Sequence, residues 1–559
     1  MTFEGELARL SRGWRGPAVA AFIAFVAGLP GMLAVPALDR DESRFAQATA
    51  QMLETRDFVV IRYQDEPRFK KPVGIHWLQA ASVSIFSSPE ARQIWAYRIP
   101  SLLGAMLAAA ACAWGASAFF GAEAGLLSGA LLGTTFLLST EALIAKTDAV
   151  LCGTTLLALA ALGRLYAEAR GGPPAGKRAW LLFWIGLAVA TLDKGPIAPL
   201  IVAFTIAVLA AVDRRGGWLG RLNWPWGLIV FAAVIGPWAG AVTVATDGGF
   251  WSAALTGDLA PKLAGGQETH GAPPGYHTLL APLLMFPMTL LLPAAAVTAW
   301  RRRREPGVRF ALAWLIPAWI MFEAMPTKLV HYPLPLYGAV AWLAAAALTE
   351  PLGARARWIG ASLSAVFGLL LAGACFYLVK LYGDLSDLPV TVLTAGLLAA
   401  AGLVGGWLLV RRSPPLAAAT ALGLGLLGHA ALAAGIAPRL QPLWLSARTE
   451  AALERAQLLP DQGIAAAPVT VAGYAEPSLV FAVGTATELG GPEDAAQAIA
   501  EGRPAVVEAR EEAAFRQALS AARTQARLVA AVKGLDYSDG KTMTLRIYQS
   551  AATEPTSSP

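Results

Sequence analysis

The stretch Asp39-Arg40-Asp41-Glu42-Ser43-Arg44-Phe45-Ala46 follows directly on an apolar run from Pro17 to Leu38 and alternates carboxylates with guanidiniums. Residues 46 to 55 continue with helix formers, so a helix here sets Asp41 and Arg44, three apart, on one face. A carboxylate to take an acceptor's proton and a cation to meet a departing phosphate are what a group-transfer site needs. An interfacial salt bridge between the same two residues is the other reading. Further ionisable groups recur beside apolar runs: Lys71 and His76; Glu141, Lys146 and Asp148; Asp193 and Lys194; Asp258, Lys262, Glu268, His270 and His277; Lys328 and His331. Such groups cost about 2.5–3.5 kcal/mol each at the centre of a membrane helix, so their positions carry information. His429, inside an apolar run, reads as a packed core histidine, and Cys112, Cys152 and Cys375 read as small packing residues with neither disulfide nor zinc spacing.

The elements that must position these groups are membrane helices. Of 559 residues, 56% are apolar and 15% charged, whereas soluble domains average about 25% charged residues. That excludes an ordinary soluble enzyme, a disordered chain and a fibrous one. A span needs about 20 apolar residues, and this criterion gives thirteen helices, starting near Pro17, Pro100, Ala122, Ala149, Ala179, Ile197, Trp224, Thr278, Phe310, Leu334, Trp358, Pro389 and Leu416. The first is expected to be a span rather than a removable signal peptide. With Arg9, Arg12 and Arg15 in the cytoplasm, alternate connections hold Arg164 to Arg178, Arg214 to Arg221, Arg301 to Arg309, Arg355 and Arg357, and Arg411 and Arg412, as the positive-inside rule requires. One connection breaks the rule. Residues 39–98 must be external, yet carry Arg40, Arg44, Arg56, Arg62, Arg68, Lys70, Lys71, Arg92 and Arg98. An anionic ligand such as a lipid phosphate would require them; a solvated amphipathic segment is the plainer account. The expected division is a transmembrane domain at 1–438 and an external α/β domain at 439–559. The latter shows strand-like runs at Pro468–Gly473, Ser478–Val483 and Pro504–Glu508, a helix at Glu511–Arg527, and a hairpin around Ser538-Asp539-Gly540.

The run Asp41-Glu42-x-Arg44-Phe45-Ala46, with Met52, Asp57-Phe58 and Lys71-Pro72-x-x-x-His76-Trp77-Leu78, resembles the first periplasmic loop of bacterial polyprenyl-phosphate-sugar glycosyltransferases. These include the aminoarabinose transferases that modify lipid A and, more distantly, the protein O-mannosyltransferases, all of GT-C architecture. Lys146-Thr147-Asp148, Asp193-Lys194-Gly195-Pro196 and Thr327-Lys328-x-x-His331-Tyr332-x-Leu334-Pro335 match in the same order. The pattern departs at Ile61, where relatives often have Pro, and at Lys70, where they carry an acidic residue.

The resemblance implies a multi-pass inner-membrane enzyme with a cytoplasmic N-terminus and a periplasmic C-terminal domain. It moves a sugar from a polyprenyl-phosphate donor, with inversion, to lipid A, the lipopolysaccharide core or a glycoprotein. It further implies Asp41 as base and Asp148 as a second catalytic carboxylate. Arg44 and Lys71, with Lys262 and Lys328 behind them, would hold the lipid phosphate, and Glu42, His76 and Tyr332 would position substrate. No nucleotide is needed, and the sequence has no P-loop or Rossmann fingerprint. No cofactor is required by this chemistry, though Glu268-Thr269-His270 with His277 offers nonspecific ligands for a divalent metal. Nucleic acid is not an expected partner despite a net charge of +6. The competing readings are a protein O-glycosyltransferase and, in another class, a lipid-linked-sugar flippase. A flippase should carry its charges near mid-bilayer in repeated, broken helices, and no repeat is visible.

Overall fold

The computed structural model describes residues 3–38, 40–214, 216–259, 271–463, 466–537 and 539–551. Among these, eight helices are long and apolar enough to cross a membrane: Arg15–Ala34, Ile94–Phe120, Thr147–Glu168, Trp224–Ala245, Pro306–Ala324, Ala354–Tyr382, Leu385–Arg411 and Pro414–Arg439. The protein is an integral membrane protein. Each of the thirteen starts read from the sequence falls on an apolar helix. Their count as crossings is not established, because Ala122–Gly133, Ile197–Asp213 and Leu334–Ala347 are short. Ala179–Lys194 has only 16 residues, and Tyr276–Leu284 with Met288–Arg301 is bent by 110°.

The elements that carry the site are α1 (Arg15–Ala34), α2 (Asp41–Thr55), α3 (Gly74–Phe86), α4 (Ile94–Phe120), α5 (Thr147–Glu168), α6 (Ala179–Lys194) and α7 (Pro306–Ala324). Helix α5 is the most enclosed span, with most of its length buried against neighbours. Small residues let it in: a Cβ added at Gly104 of α4 would stand 2.6 Å from the Ala149 carbonyl oxygen, so backbones touch where a side chain would hold them apart. Gly74, at the start of α3, approaches α6 the same way, with a Cβ falling 2.6 Å from the Leu192 carbonyl oxygen. These two contacts bring the N-terminal turn of α5, the C-terminal turn of α6 and the loop before α3 to one end of the bundle. Helix α2 starts with Asp41 and Glu42, acidic residues that suit the positive end of the helix dipole. A two-residue hairpin, β1 (Arg62–Tyr63) with β2 (Glu66–Pro67), closes the loop after it.

Beyond Leu445 the chain forms an α/β unit with its own core of Leu453, Val471, Leu479, Val506, Leu545 and Ile547. Helix α8 (Leu445–Arg455) leads into strands β3 (Thr470–Ala472), β4 (Glu488–Gly490), β5 (Ala505–Glu508), β6 (Ala526–Asp536) and β7 (Lys541–Ser550), in sheet order β4-β3-β5-β7-β6. The first three are parallel, and β7 joins antiparallel to β5 and β6. The hairpin lies where Asp539-Gly540 places it; Ser538 is outside the described residues. Ser478–Val483 departs from expectation. It is a helix, α9 (Pro477–Val483), not a strand. Pro477 supplies a first helical residue with φ already set, and nearly every side chain in the segment is buried, so the run carries no period by which helix and strand could be told apart.

Candidate active site

Helix α2 is anchored by a buried ion pair. Arg98 of α4 is 0% exposed and Glu42 is 1% exposed. The guanidinium donates in fork geometry, Nε to Glu42 Oε1 and Nη2 to Oε2, each at 2.7 Å. Its remaining N–H groups reach the carbonyls of Met32, Val35 and Pro36 at the end of α1. Glu42 Oε1 also accepts from the Ala145 backbone N–H at 2.6 Å, and Oε2 from that of Leu38 at 2.8 Å. One carboxylate thus ties together the end of α1, the first turn of α2 and the loop leading into α5. Glu42 is thereby spent on structure next to Asp41, and Arg98, one of the surplus cations in residues 39–98, has its partner. Arg92 is likewise occupied, bonded to Gln47, Glu54 and Thr485.

Above that anchor sits a dense cluster of charge. Lys194 Nζ lies 2.5 Å from Asp148 Oδ1. Lys146 Nζ lies 3.0 Å from Glu141 Oε2 and 3.7 Å from Asp148 Oδ2. It also donates to His331 Nδ1 at 3.3 Å. That bond leaves the proton of the neutral ring on Nε2, 3.6 Å from Asp148 Oδ1. Burial pushes the Glu141 carboxyl up to about 7 against the pull of Lys146. Burial works to lower the Lys146 amine, but Glu141 and Asp148 hold it above its ordinary value. His331 is pushed well below its ordinary value by burial, with Lys146, Lys194 and Lys71 adding to the effect against Asp148. Asp193 is fully buried beside this cluster, with neither carboxylate oxygen hydrogen-bonded among the described residues.

A cavity of about 230 Å³ opens on the cluster. Its lining combines Lys70, Lys71, Asp148 and Lys194 with the apolar side chains of Phe250, Trp251, Leu255 and Phe322, and includes Tyr332. The Lys194 ammonium lies 5.7 Å from the centre of the Tyr332 ring. Among the described residues the lining holds three cations, Lys70, Lys71 and Lys194, against one carboxylate, Asp148. A lining that is part cationic and part apolar can accommodate a phosphate with a hydrocarbon tail.

Asp41 and Arg44 occupy consecutive turns of α2, as the spacing predicts. Asp41 is exposed and close enough to Lys146 to act on it electrostatically, which sets it beside the charged cluster. The half-buried Arg44 turns elsewhere, onto a second, polar cavity of about 450 Å³ between α2 and the C-terminal unit. Arg40, the residue before Asp41, has φ 60° and ψ −92°, a region that costs a non-glycine residue on the order of 1–3 kcal/mol. Its guanidinium is held by Asp539 at 3.0 Å and Glu476 at 3.6 Å, both from the C-terminal unit.

The structure therefore brings Lys71, Asp148 and Tyr332 together at one cavity and sets Arg44 at the other. Lys328 lies at the end of α7, where its ammonium donates to the Glu323 carbonyl at 2.9 Å and to that of Met325. His76 is buried, bonded through Nδ1 to Thr49 Oγ1 at 2.8 Å, and burial lowers it to about 3. Lys262, Glu268 and His270 lie outside the described residues. His277 is buried, with neither ring nitrogen hydrogen-bonded among the described residues, and no group of three or more His, Cys, Asp or Glu side chains set for a metal occurs among them. Glu141, Lys146, Lys194 and His331 were visible in sequence only as motif members without a role. What joins them is the close approach of three helices, which no local pattern encodes. Of the residues of the C-terminal unit that reach α2, the Tyr474-x-Glu476-Pro477-Ser478 segment reads in sequence either as an acceptor contact or as a cap on the membrane domain, and Asp539 only as part of a hairpin; their pairing with Arg40 is not legible there.

Residues 70–239 match the family described as dolichyl-phosphate-mannose-protein mannosyltransferase. Over 345 residues the chain is 28% identical to the undecaprenyl phosphate-alpha-4-amino-4-deoxy-L-arabinose arabinosyl transferase of Aeromonas salmonicida (strain A449), covering 60% of this chain and 61% of that protein. With the like-named protein of Pseudomonas aeruginosa (strain UCBPP-PA14) it shares 28% identity over 315 residues, 56% of each chain. The chain thus matches about three-fifths of the length of these relatives. Among solved structures, ArnT from Cupriavidus metallidurans bound to undecaprenyl phosphate superposes with a TM-score of 0.75 at 20% identity, covering 96% of this chain and 98% of that one. The apo state of the same protein gives a TM-score of 0.73 at 20% identity, covering 95% and 96%. The resemblance read from the sequence is borne out, and the fold is the GT-C architecture it implied.

Proposed function

We propose that this protein is an inner-membrane glycosyltransferase that moves a sugar from a polyprenyl-phosphate donor to an acceptor on the periplasmic side, and that its C-terminal unit faces the same side. The observation that carries the proposal is the cavity lined by Lys71, Lys194 and Asp148 together with apolar side chains, with Asp41 near enough to Lys146 of the adjoining cluster to act on it electrostatically. The similarity to aminoarabinosyl transferases makes lipid A or the lipopolysaccharide core the first acceptor to test, and the mannosyltransferase family match makes a protein hydroxyl the second.

The donor's tail lies along Phe250, Trp251 and Phe322, and its phosphate is held by Lys71 and Lys194. Asp148 keeps Lys194 in place and offers its free lone pairs to sugar hydroxyls, with Tyr332 alongside. An acceptor oxygen attacks the anomeric carbon from the face opposite the phosphate. The new C–O bond forms as the old one breaks, its electron pair leaves on the lipid phosphate, and the acceptor proton passes to Asp41. Charge grows on the phosphate as the bond breaks, so ammonium groups fixed beforehand stabilise the transition state more than the ground state. Glu42 acts through the buried pair that sets the first turn of α2.

The test is purified protein in nanodiscs with an undecaprenyl-phosphate sugar and, in parallel, lipid A, core oligosaccharide and envelope protein. A mass gain of one sugar on one acceptor is the expected result. Donor movement across the bilayer without any transfer product would replace the enzyme reading with the flippase one.

A further inference from the structure

A third cavity, of about 640 Å³, opens at the other end of the bundle from the charged cluster, and the transfer chemistry above gives it no role. Gly104 meets Ala149 and Gly115 meets Ala160, so α4 and α5 run in parallel and their C-terminal ends lie together. Arg164, which lines the cavity near the end of α5, stands about 24 Å beyond Asp148 along that helix at its usual rise per residue. That approaches the thickness of a bilayer's hydrocarbon core, about 30 Å. The polar lining gathers at this end, with Ser117 and Arg164 close to the helix ends and Ser11 and Trp14 just before α1 begins. Leu107 and Leu157, earlier on the same two helices, line it deeper in the bundle, roughly 10–15 Å away by the helical rise. The cavity therefore has a polar mouth and an apolar depth, and Trp14, 78% exposed, is placed as aromatic residues are at a membrane interface.

Arg164 brings to that mouth a charge with no counter-ion among the described residues. Its Nη1 donates to the Trp114 carbonyl at 2.9 Å and to Ser117 Oγ at 3.4 Å, and its Nη2 to the Pro174 carbonyl at 3.4 Å. Its Nε is buried with no hydrogen bond among the described residues, and the guanidinium lies 4.9 Å from the centre of the Trp114 ring. Glu168, one turn on and suited by spacing to pair with it, is taken by Arg221 at 2.6 Å and by the Ala175 N–H at 3.0 Å. No carboxylate lines the cavity among the described residues, and the exposed Arg12 and Arg15 flank Trp14 in the chain.

We propose that this cavity is a lipid site: it holds an anionic phospholipid of the leaflet opposite the candidate active site, with the phosphodiester on Arg164 and an acyl chain along Leu107 and Leu157. A guanidinium whose partners are neutral oxygens can take a phosphodiester without giving up a salt bridge. The lining decides between headgroups. A zwitterionic lipid would bring an ammonium close to three arginines with no carboxylate to meet it, whereas a headgroup of net negative charge is drawn by all three. The volume lies within the range of small-molecule sites, roughly 300–1,000 Å³, and its apolar depth suits a hydrocarbon chain, which a free phosphate would leave unfilled. A lipid seated here ties together the ends of α1, α4 and α5, so its presence stabilises the folded bundle. The site is separate from the donor cavity and holds whether or not the protein transfers sugar.

The full chain, delipidated in dodecyl maltoside, is titrated with palmitoyl-oleoyl phosphatidylglycerol, with the phosphatidylethanolamine of the same chains and with glycerol 3-phosphate, and followed by native mass spectrometry and by its unfolding temperature. The wild type is expected to retain phosphatidylglycerol and to unfold at a higher temperature with it, to bind phosphatidylethanolamine at least tenfold more weakly, and not to bind glycerol 3-phosphate. R164Q should weaken phosphatidylglycerol binding at least tenfold, and R164K should keep most of it. A110F leaves the arginine in place and puts a ring at a lining position of the cavity, so it should weaken binding as R164Q does and decides the matter if R164Q fails to fold. K71A, at the donor cavity, should bind as the wild type does. Equal phosphatidylglycerol binding by the wild type and A110F, or a loss confined to K71A, overturns the site. Phosphatidylethanolamine binding as tightly as phosphatidylglycerol overturns the selection for negative charge, and glycerol 3-phosphate binding as tightly puts a free phosphate there in place of a lipid.

Discussion

At the scale of single residues, function divides among side chains that sequence reading had grouped together. Asp41→Asn keeps the size of the side chain and removes the carboxylate proposed as the base. Transfer should fall about 10²–10⁴-fold with unchanged membrane insertion and melting temperature, and undiminished turnover would remove Asp41 from the chemistry. Lys71→Ala takes away one charge-assisted contact, worth about 1.5–3 kcal/mol, so donor affinity should drop roughly 10–100-fold in a binding titration with undecaprenyl phosphate. Arg98→Ala differs in kind. It strands Glu42 in the interior, and breaking a buried pair costs about 3–5 kcal/mol, so the expected readout is a lowered midpoint of unfolding rather than a selective loss of turnover. His76 adds a pH dependence. Its folded value of about 3 lies below the 6.5 of an ordinary histidine, so the unfolded chain binds a proton that the folded one refuses. Stability from this group is complete above pH 6.5 and is lost as pH falls toward 3, and His76→Gln should flatten that part of the curve.

At the scale of elements, the sequence reading was strongest where one period or one motif sufficed. The apolar helices began where composition placed them, and Asp41 and Arg44 took adjacent turns of one helix because their spacing demands it. What could not be read was how the helices meet. Gly74 looks like any glycine in sequence, yet it lets α3 touch α6 and thereby sets the Lys71 loop against Lys194. Gly74→Val should force the two apart, lowering both thermal stability and donor affinity, whereas the same change at the exposed Gly373, which has open space around its Cα, should do neither. Arg44 shows the same limit from the other side. Its helix and turn were legible, but the cavity it faces is walled by residues more than four hundred positions away, which local spacing cannot reveal. The helix at Pro477–Val483 was mistaken for a strand because burial on all sides erases periodicity.

At the scale of the whole molecule, two units meet at the first turn of α2. The membrane bundle supplies the lysine-rich cavity and Asp41, and the C-terminal unit reaches over α2 with Glu476 and Asp539 to hold Arg40 in a backbone conformation it would not adopt alone. A double change, Glu476→Gln with Asp539→Asn, should release that turn. The expected signature is a fall in kcat with little change in donor affinity, since the lysine cavity is untouched; an unchanged kcat would make the two pairs ornamental. Several of the cations in residues 39–98 have distinct places: Arg98 in the buried pair with Glu42, Lys70 and Lys71 in the lining of the lysine-rich cavity, and Arg40 and Arg44 at the seam with the C-terminal unit. The strained turn at Arg40 also imposes an order on biosynthesis. Glu476 and Asp539, which hold it, follow all the membrane helices in the chain, so the spans can insert and the lysine cavity can form before the turn that carries Asp41 is fixed. On the proposed function, a chain interrupted before the hairpin at Asp539-Gly540 should keep its membrane helices and its lysine cavity yet fail in transfer.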